Sequence, residues 1–350
     1  MKKYLFIFLC LLSCQEEISL DLPIESQKLV IEGGIEQGMP PYVVLTKNQG
    51  YFDEIDTNTY NNLFVTDAEI IVWTTLEDGT NDSIFLEKIP EYPFPIYTYL
   101  PYWYSLQNPP YAMEDPFFKD WSKPNRTYNL IVKWNNKEVT SQTTIPNPTP
   151  LDCLWIIKNE FANEDDKFDV RAIYNDPIDE QNNILIKNRR IEHWGVDSLQ
   201  QSPQVKPKHD LILDLIDAGS DVLINGERFE TYFPRKGKNS SIATQPWRGS
   251  RWKTFDNDGT LDSIEVPHDV ALIKFCQIDE SSLRFWRSIV RQFGSSGNPF
   301  QEPLNIVSNI NGGYGGWTGY GAVYYKIPII DGSWSNSPLP LDSIEITDVF

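Results

Sequence analysis

The segment TFDNDGTLDSIE sets four carboxylates around one glycine. Aligned on Gly259, Asp256, Asp258, Asp262 and Glu265 fall at positions 3, 5, 9 and 12 of a calcium loop, with Leu261 at its apolar position. Such a loop needs an aspartate at its first position, where this chain has Thr254, and a helix on either side. Trp252–Phe255 and Leu261–Val266 instead read as strands, so the expectation is a hairpin turned by Asn257-Asp258-Gly259. Calcium is the weaker alternative and no metal is expected.

Other chemistry is sparse. His193, His209 and His268 are isolated and show no metal-ligand spacing. The chain has no G-x-S-x-G elbow, no phosphate loop and no C-x-x-C pair. A chain this acidic contains many carboxylates, yet no pair among them nominates itself as acid and base. The expectation is a protein that is not an enzyme and uses no cofactor. Cys153 and Cys276 lie in the apolar runs LDCLWII and ALIKFCQI. They form either a disulfide, worth about 4 kcal/mol in the chain-entropy model, or two buried thiols, and the sequence leaves both open.

Cys14 is different. Lys2 and Lys3 precede an apolar run, Leu5 to Leu12, which is too short to span a bilayer. Leu11-Leu12-Ser13-Cys14 follows, and this resembles the signal of a bacterial lipoprotein whose cysteine receives lipid. Residues 1–13 are then a signal peptide and 14–27 a lipidated stalk. Gln15, Glu16 and Glu17 resemble the acidic signal that sends some Bacteroidota lipoproteins to the outer face of the outer membrane. The net charge is −19, and it repels nucleic acid and anionic headgroups, so neither is expected as a partner.

Two segments are rich in rings. Residues 90–121 hold eleven aromatics and seven prolines in 32 positions, too long for a plain connection between strands. Tyr97, Tyr99, Tyr102, Trp103 and Tyr104 are candidate contacts for a sugar or a protein, unless the loop folds back on its own sandwich. Six glycines from Gly312 to Gly321 interleave with Tyr314, Trp317 and Tyr320, a second candidate contact, and predict a tightly turned loop.

The elements that position these residues are mainly strands. KLVIEGGIE, YVVLTKN, AEIIVWTTL, SIFLEKI, TYNLIVKW and VTSQTTIP are short, rich in β-branched residues and separated by turns. They predict an immunoglobulin- or fibronectin-like β-sandwich over 28–146, with 90–121 as an insertion. Tyr128, at the entry to a late strand, fills the position of a tyrosine whose hydroxyl bonds back to the chain. IPNPTP at 145–150 marks a boundary. A second β-rich domain is expected over 151–345, with strands at DCLWIIKN, FDVRAIYN, NILIKNRRI, DVLINGERF and DVALIKFCQI. Its one helix spans about 280–293, capped by Asp279 or Ser281 and carrying Leu283, Trp286, Ile289, Val290 and Phe293 on one stripe.

Asn298-Pro299-Phe300, Glu302-Pro303, Ser308-Asn309-Ile310 and the Gly312–Gly321 run, taken with KLVIEGGI and Cys14, resemble a Bacteroidota outer-membrane lipoprotein family catalogued as domain of unknown function 4249. The resemblance implies a gene beside a TonB-dependent outer-membrane receptor. The functional expectation is therefore a surface-exposed accessory subunit of such a receptor, held to the outer membrane by its lipid and serving nutrient capture or receptor assembly. The alternative is a free-standing glycan-binding lipoprotein that stacks sugars on exposed aromatics.

Overall fold

Alternation of buried and exposed side chains sets the first layer. In β1 (Leu29–Glu36), Leu29, Ile31 and Ile35 enter a core while Glu32 is exposed on the opposite face. The computed structural model describes residues 27–49, 56, 62–90, 95–107, 117–158, 168–178, 182–192, 208–209, 214–222, 225–233, 251–253, 264–266, 270–295 and 305–344. Cys14, Asp256, Asp258 and Asp262 lie outside them, as does the side chain of Glu265.

The N-terminal half is the expected sandwich. β2 (Tyr42–Lys47) pairs with β1, and β5 (Ile96–Thr98) with β2. Facing them are β3 (Glu69–Thr75), β4 (Asn81–Lys88), β6 (Thr127–Trp134) and β7 (Lys137–Thr144), in the order β4-β3-β6-β7. Ile31, Val43 and Leu45 from one layer meet Val72, Leu130 and Val132 from the other. The Tyr128 hydroxyl donates to the Trp121 carbonyl at 2.7 Å and accepts the Lys123 N–H at 2.7 Å, so the chain corner expected of this residue is present.

The second half joins the same sheet. β10 (Asn183–Glu192), β16 (Val270–Ile278) and β17 (Tyr314–Pro328) pair in that order, and β17 runs parallel to β1 from Val30↔Tyr314 to Glu36↔Tyr320. β11 (Lys208–His209) and β12 (Asp214–Ser220) extend it beyond β10. One face of β16 and β17 is covered by a smaller sheet ordered β13-β9-β8-β18, formed by β8 (Cys153–Lys158), β9 (Phe168–Asn175), β13 (Arg228–Phe233) and β18 (Trp334–Ser335). There Val170, Ala172 and Tyr174 pack on Ala271, Ile273 and Tyr325. Residues 145–150 dock between the halves, the Thr149 N–H donating to Gln277 Oε1 at 2.7 Å.

Three helices complete the described chain. α1 (Leu100–Gln107) and α2 (Phe117–Trp121) belong to the aromatic segment, and α3 (Glu280–Ser295) covers the other face of β16 and β17. Asp279 caps α3, accepting the Ser282 N–H at 2.7 Å, and its second oxygen accepts from the Thr143 hydroxyl and the Thr144 N–H. Leu283 and Trp286 are buried, and Ile289 and Val290 half-buried, so these four of the expected stripe are core, while the side chain of Phe293 lies outside the described residues.

Two expectations are corrected. Of the strand expected at DVLINGERF only Arg228-Phe229 is strand, the start of β13; Asn225 and Gly226 form a turn before it, where Gly226 adopts φ +74° and its N–H donates to Asp176 Oδ2 at 2.9 Å. The Gly312–Gly321 run is mostly the strand β17 rather than a turned loop. Its glycines permit close approach: a Cβ on Gly319 would stand 2.5 Å from the Thr144 carbonyl oxygen.

Tyr128→Phe removes one donated and one accepted bond from a buried corner and is expected to cost about 1–3 kcal/mol. Urea denaturation reads this as a lower midpoint at unchanged slope.

Candidate functional site

A lysine inside an apolar run must find a partner or lose its charge. β10 and β16 each carry one, and their pairing sets Lys187 directly opposite Lys274. Both lie on the face covered by α3, where Tyr324 stands opposite Lys274 on β17 and Tyr320 stands opposite Glu36 on β1. Glu36 and Lys274 form an ion pair whose side chains are 2% and 0% exposed. The other Glu36 oxygen accepts the Tyr324 hydroxyl at 2.6 Å. Lys274 Nζ also lies 4.6 Å from the Tyr320 ring centroid and 5.4 Å from that of Tyr324.

Lys187 is held differently. It is 5% exposed, and its Nζ lies 4.5 Å over the Trp286 ring and 5.7 Å from the Tyr320 ring. Burial lowers its pKa below the usual lysine value, and the negative charge of Glu32 opposes that shift. Burial also raises the Tyr320 hydroxyl well above the ordinary phenol and the Cys276 thiol to about 11. At neutral pH Cys276 is therefore a thiol, not a nucleophilic thiolate. This cluster closes a charged layer beneath α3. Its one buried carboxylate is spent on Lys274 and Tyr324. The signal in the sequence was a charge within an apolar run for the lysines, in ILIKN and ALIKF, and at the end of one for Glu36, in VIEGGIE.

The predicted contacts separate into core and surface. Tyr97 and Trp103 are buried, with 3% and 9% exposed, and Tyr99 and Tyr102 pack partly buried against the sandwich. Tyr97 donates to the Val65 carbonyl at 3.1 Å. The described parts of the aromatic segment thus fold back on the chain's own core, Tyr97 in the sandwich and Trp103 in the cluster under α3, and of the five rings only Tyr104 is exposed. Phe117, 36% exposed, stacks on Tyr99 and Trp121. Trp317 and Tyr320 are fully buried and present no face to a partner. Trp317 fills the sandwich core, and its indole N–H donates to the Tyr128 carbonyl at 3.2 Å. Tyr314 is half-buried, bonded through its hydroxyl to Lys28 Nζ at 2.8 Å.

Asn309 has a role that the sequence did not disclose. Its side-chain carbonyl accepts the Trp317 N–H at 2.9 Å and its amide donates to the Trp317 carbonyl at 2.8 Å, so one side chain pairs with β17 as a strand would. Cys153 and Cys276 are free thiols rather than a disulfide, and of the two only Cys276 is buried, Cys153 being half-buried. β14 (Arg251–Lys253) and β15 (Ile264–Val266) pair antiparallel, with Glu265 opposite Trp252, so strands and not helices flank the acidic loop. Among the described residues no group of three or more His, Cys, Asp or Glu side chains could hold a metal ion.

The family described as Domain of unknown function (DUF4249) matches residues 15–324. The chain belongs to this family. None of the curated proteins matches it. Within the matched DUF4249 region, the Ser308-Asn309-Ile310 and glycine-run marks have structural roles: Asn309 pairs with β17, Ile310 enters the sandwich core, and the glycines admit neighbouring chain.

Lys274→Met strands a buried carboxylate and is expected to cost about 3–5 kcal/mol, while adding Glu36→Gln recovers part of the loss. A double-mutant cycle by chemical denaturation reads the coupling. For Lys187 the unfolded chain keeps its proton to about pH 10.4, whereas the folded chain releases it earlier. Between those values the unfolded state binds more protons at this group, so Lys187 contributes stability that grows as pH rises. Lys187→Met lacks this dependence. Its stability relative to wild type should therefore fall as pH climbs toward that upper limit, measured as paired urea midpoints across pH.

Proposed function

We propose that this DUF4249 protein is a lipid-anchored accessory subunit of a TonB-dependent receptor on the outer face of the outer membrane, binding rather than catalysing. The observation that carries the reading is Leu11-Leu12-Ser13-Cys14 at the end of a short apolar run, followed by Gln15 and the acidic Glu16 and Glu17. No helix among the described residues is long and apolar enough to cross a membrane, which is compatible with a body held by acyl chains. Membership in the family supports the receptor through the gene neighbourhood that the resemblance implies. The mechanism is tethering: an anchor restricts the subunit to the plane of the receptor and raises its effective concentration without strong contacts. Tyr104 and Phe117, the exposed rings among the described residues of the aromatic segment, are the first contacts to test.

The decisive experiment purifies the tagged, lipidated chain from outer membrane solubilised in mild detergent. A TonB-dependent receptor recovered in equal amount is the expected result, and Tyr104→Ala with Phe117→Ala should reduce it. Recovery of the chain alone would remove the receptor reading. Cys14→Ala should abolish labelling by radioactive palmitate, and persistence of the label would remove the anchor.

A further inference from the structure

The sheet β13-β9-β8-β18 packs its inner face on β16 and β17, but its outer face carries rings into solvent. Trp334 is 67% and Ile157 41% exposed, the former among the most exposed large apolar residues described. Register places Trp334 opposite Trp155 and Trp155 opposite Arg171, so the three rise from one face in a single row. With strands about 4.8 Å apart, the row spans about 10 Å. Trp155 is half-buried and Trp334 exposed, and neither indole has a hydrogen-bond or ring partner among the described residues, so each offers an outward ring surface and an Nε1–H donor.

The rim of this row is polar and internally neutral. Arg171 pairs with Glu230 at 2.8 Å, and Arg228, two residues along β13 from Glu230 and on its face, pairs with Asp152 at 2.9 Å. Each guanidinium is already balanced by a carboxylate, and the whole chain carries −19, so an anionic ligand or headgroup meets repulsion without a surplus cation. A ligand that suits the face has flat apolar C–H surfaces, neutral hydroxyls at its edges and no charge. A pyranose chain has all three.

We propose that the outer face of β8, β9 and β18 is a carbohydrate platform, on which Trp155 and Trp334 stack against successive rings of a neutral oligosaccharide while Arg171 and Glu230 bond its hydroxyls. The site lies away from the aromatic segment 90–121, and it does not depend on the receptor assembly. Binding is non-covalent and needs no cofactor.

The test uses the full lipidated chain in a polyoxyethylene detergent, which carries no sugar. Neutral gluco-, xylo- and manno-hexasaccharides are titrated by calorimetry and by tryptophan fluorescence. Wild type is expected to bind at least one of them, and Trp334→Ala and Trp155→Ala each to weaken that binding tenfold or more. Phe85→Ala, an exposed ring on β4 of the other sandwich layer, should leave it unchanged. Thermal melting of each variant at the wild-type temperature separates lost binding from lost fold, with Trp334 the safer site because it is exposed on a two-residue strand. Binding to none of the three sugars, or equal binding by wild type and both folded variants, overturns the proposal. So does a Trp334-dependent response to neutral phosphatidylcholine vesicles in place of sugars, which would assign the face to a membrane surface.

Discussion

Seven residues of β1 lie parallel to β17, and both halves of the chain depend on that joint. Parallel strands cannot be joined by a tight turn, so the pairing requires the whole intervening chain to leave and return. It sets Trp317 into the sandwich core on one side and brings Glu36 beside Tyr320 on the other. The closeness is possible because β17 is poor in side chains where other main chain must pass. Gly315, with φ +105°, would place a Cβ 1.9 Å from the Ile31 carbonyl oxygen. Asp279 and Asn309 secure the same region from α3 and from the segment before β17.

The charged layer under α3 follows from this joint. Glu36 ends β1, Lys274 lies on β16 and Tyr324 on β17, and only the β1-β17-β16 order brings them together. A buried ion pair of this kind adds little net stability over apolar residues of the same size, but a wrong register would strand its charges at a cost of several kcal/mol, on the order of 3–5. Lys187 adds a second buried cation held by rings. The layer therefore discriminates between registers.

Local pattern showed most of the strands and little of their assembly. β1, β2, β3, β4, β6 and β7 were legible because turn residues bound short β-branched runs, and Tyr128 because its place before a strand has a specific hydrogen-bonding task. β5, α1 and α2 were not, since their prolines and rings obey no period that separates core from surface. The glycine run was misread for a related reason: glycine serves both turns and close packing, and only the neighbours, here Thr144 and Ile31, decide which. The same ambiguity hid the contact residues. Trp317 and Trp334 are both tryptophans in glycine- or serine-rich surroundings, yet one is the centre of a core and the other is open to solvent.

The joint between β1 and β17 also orders events in time. Residue 30 is made early and its partner, residue 314, is made late. Until then β1 has one bare edge, and so does β16, each able to pair with another chain. Contacts of such sequence separation also form slowly. A chain that ends before residue 314 therefore keeps two bare strand edges, and such a product is prone to aggregation rather than a smaller working protein.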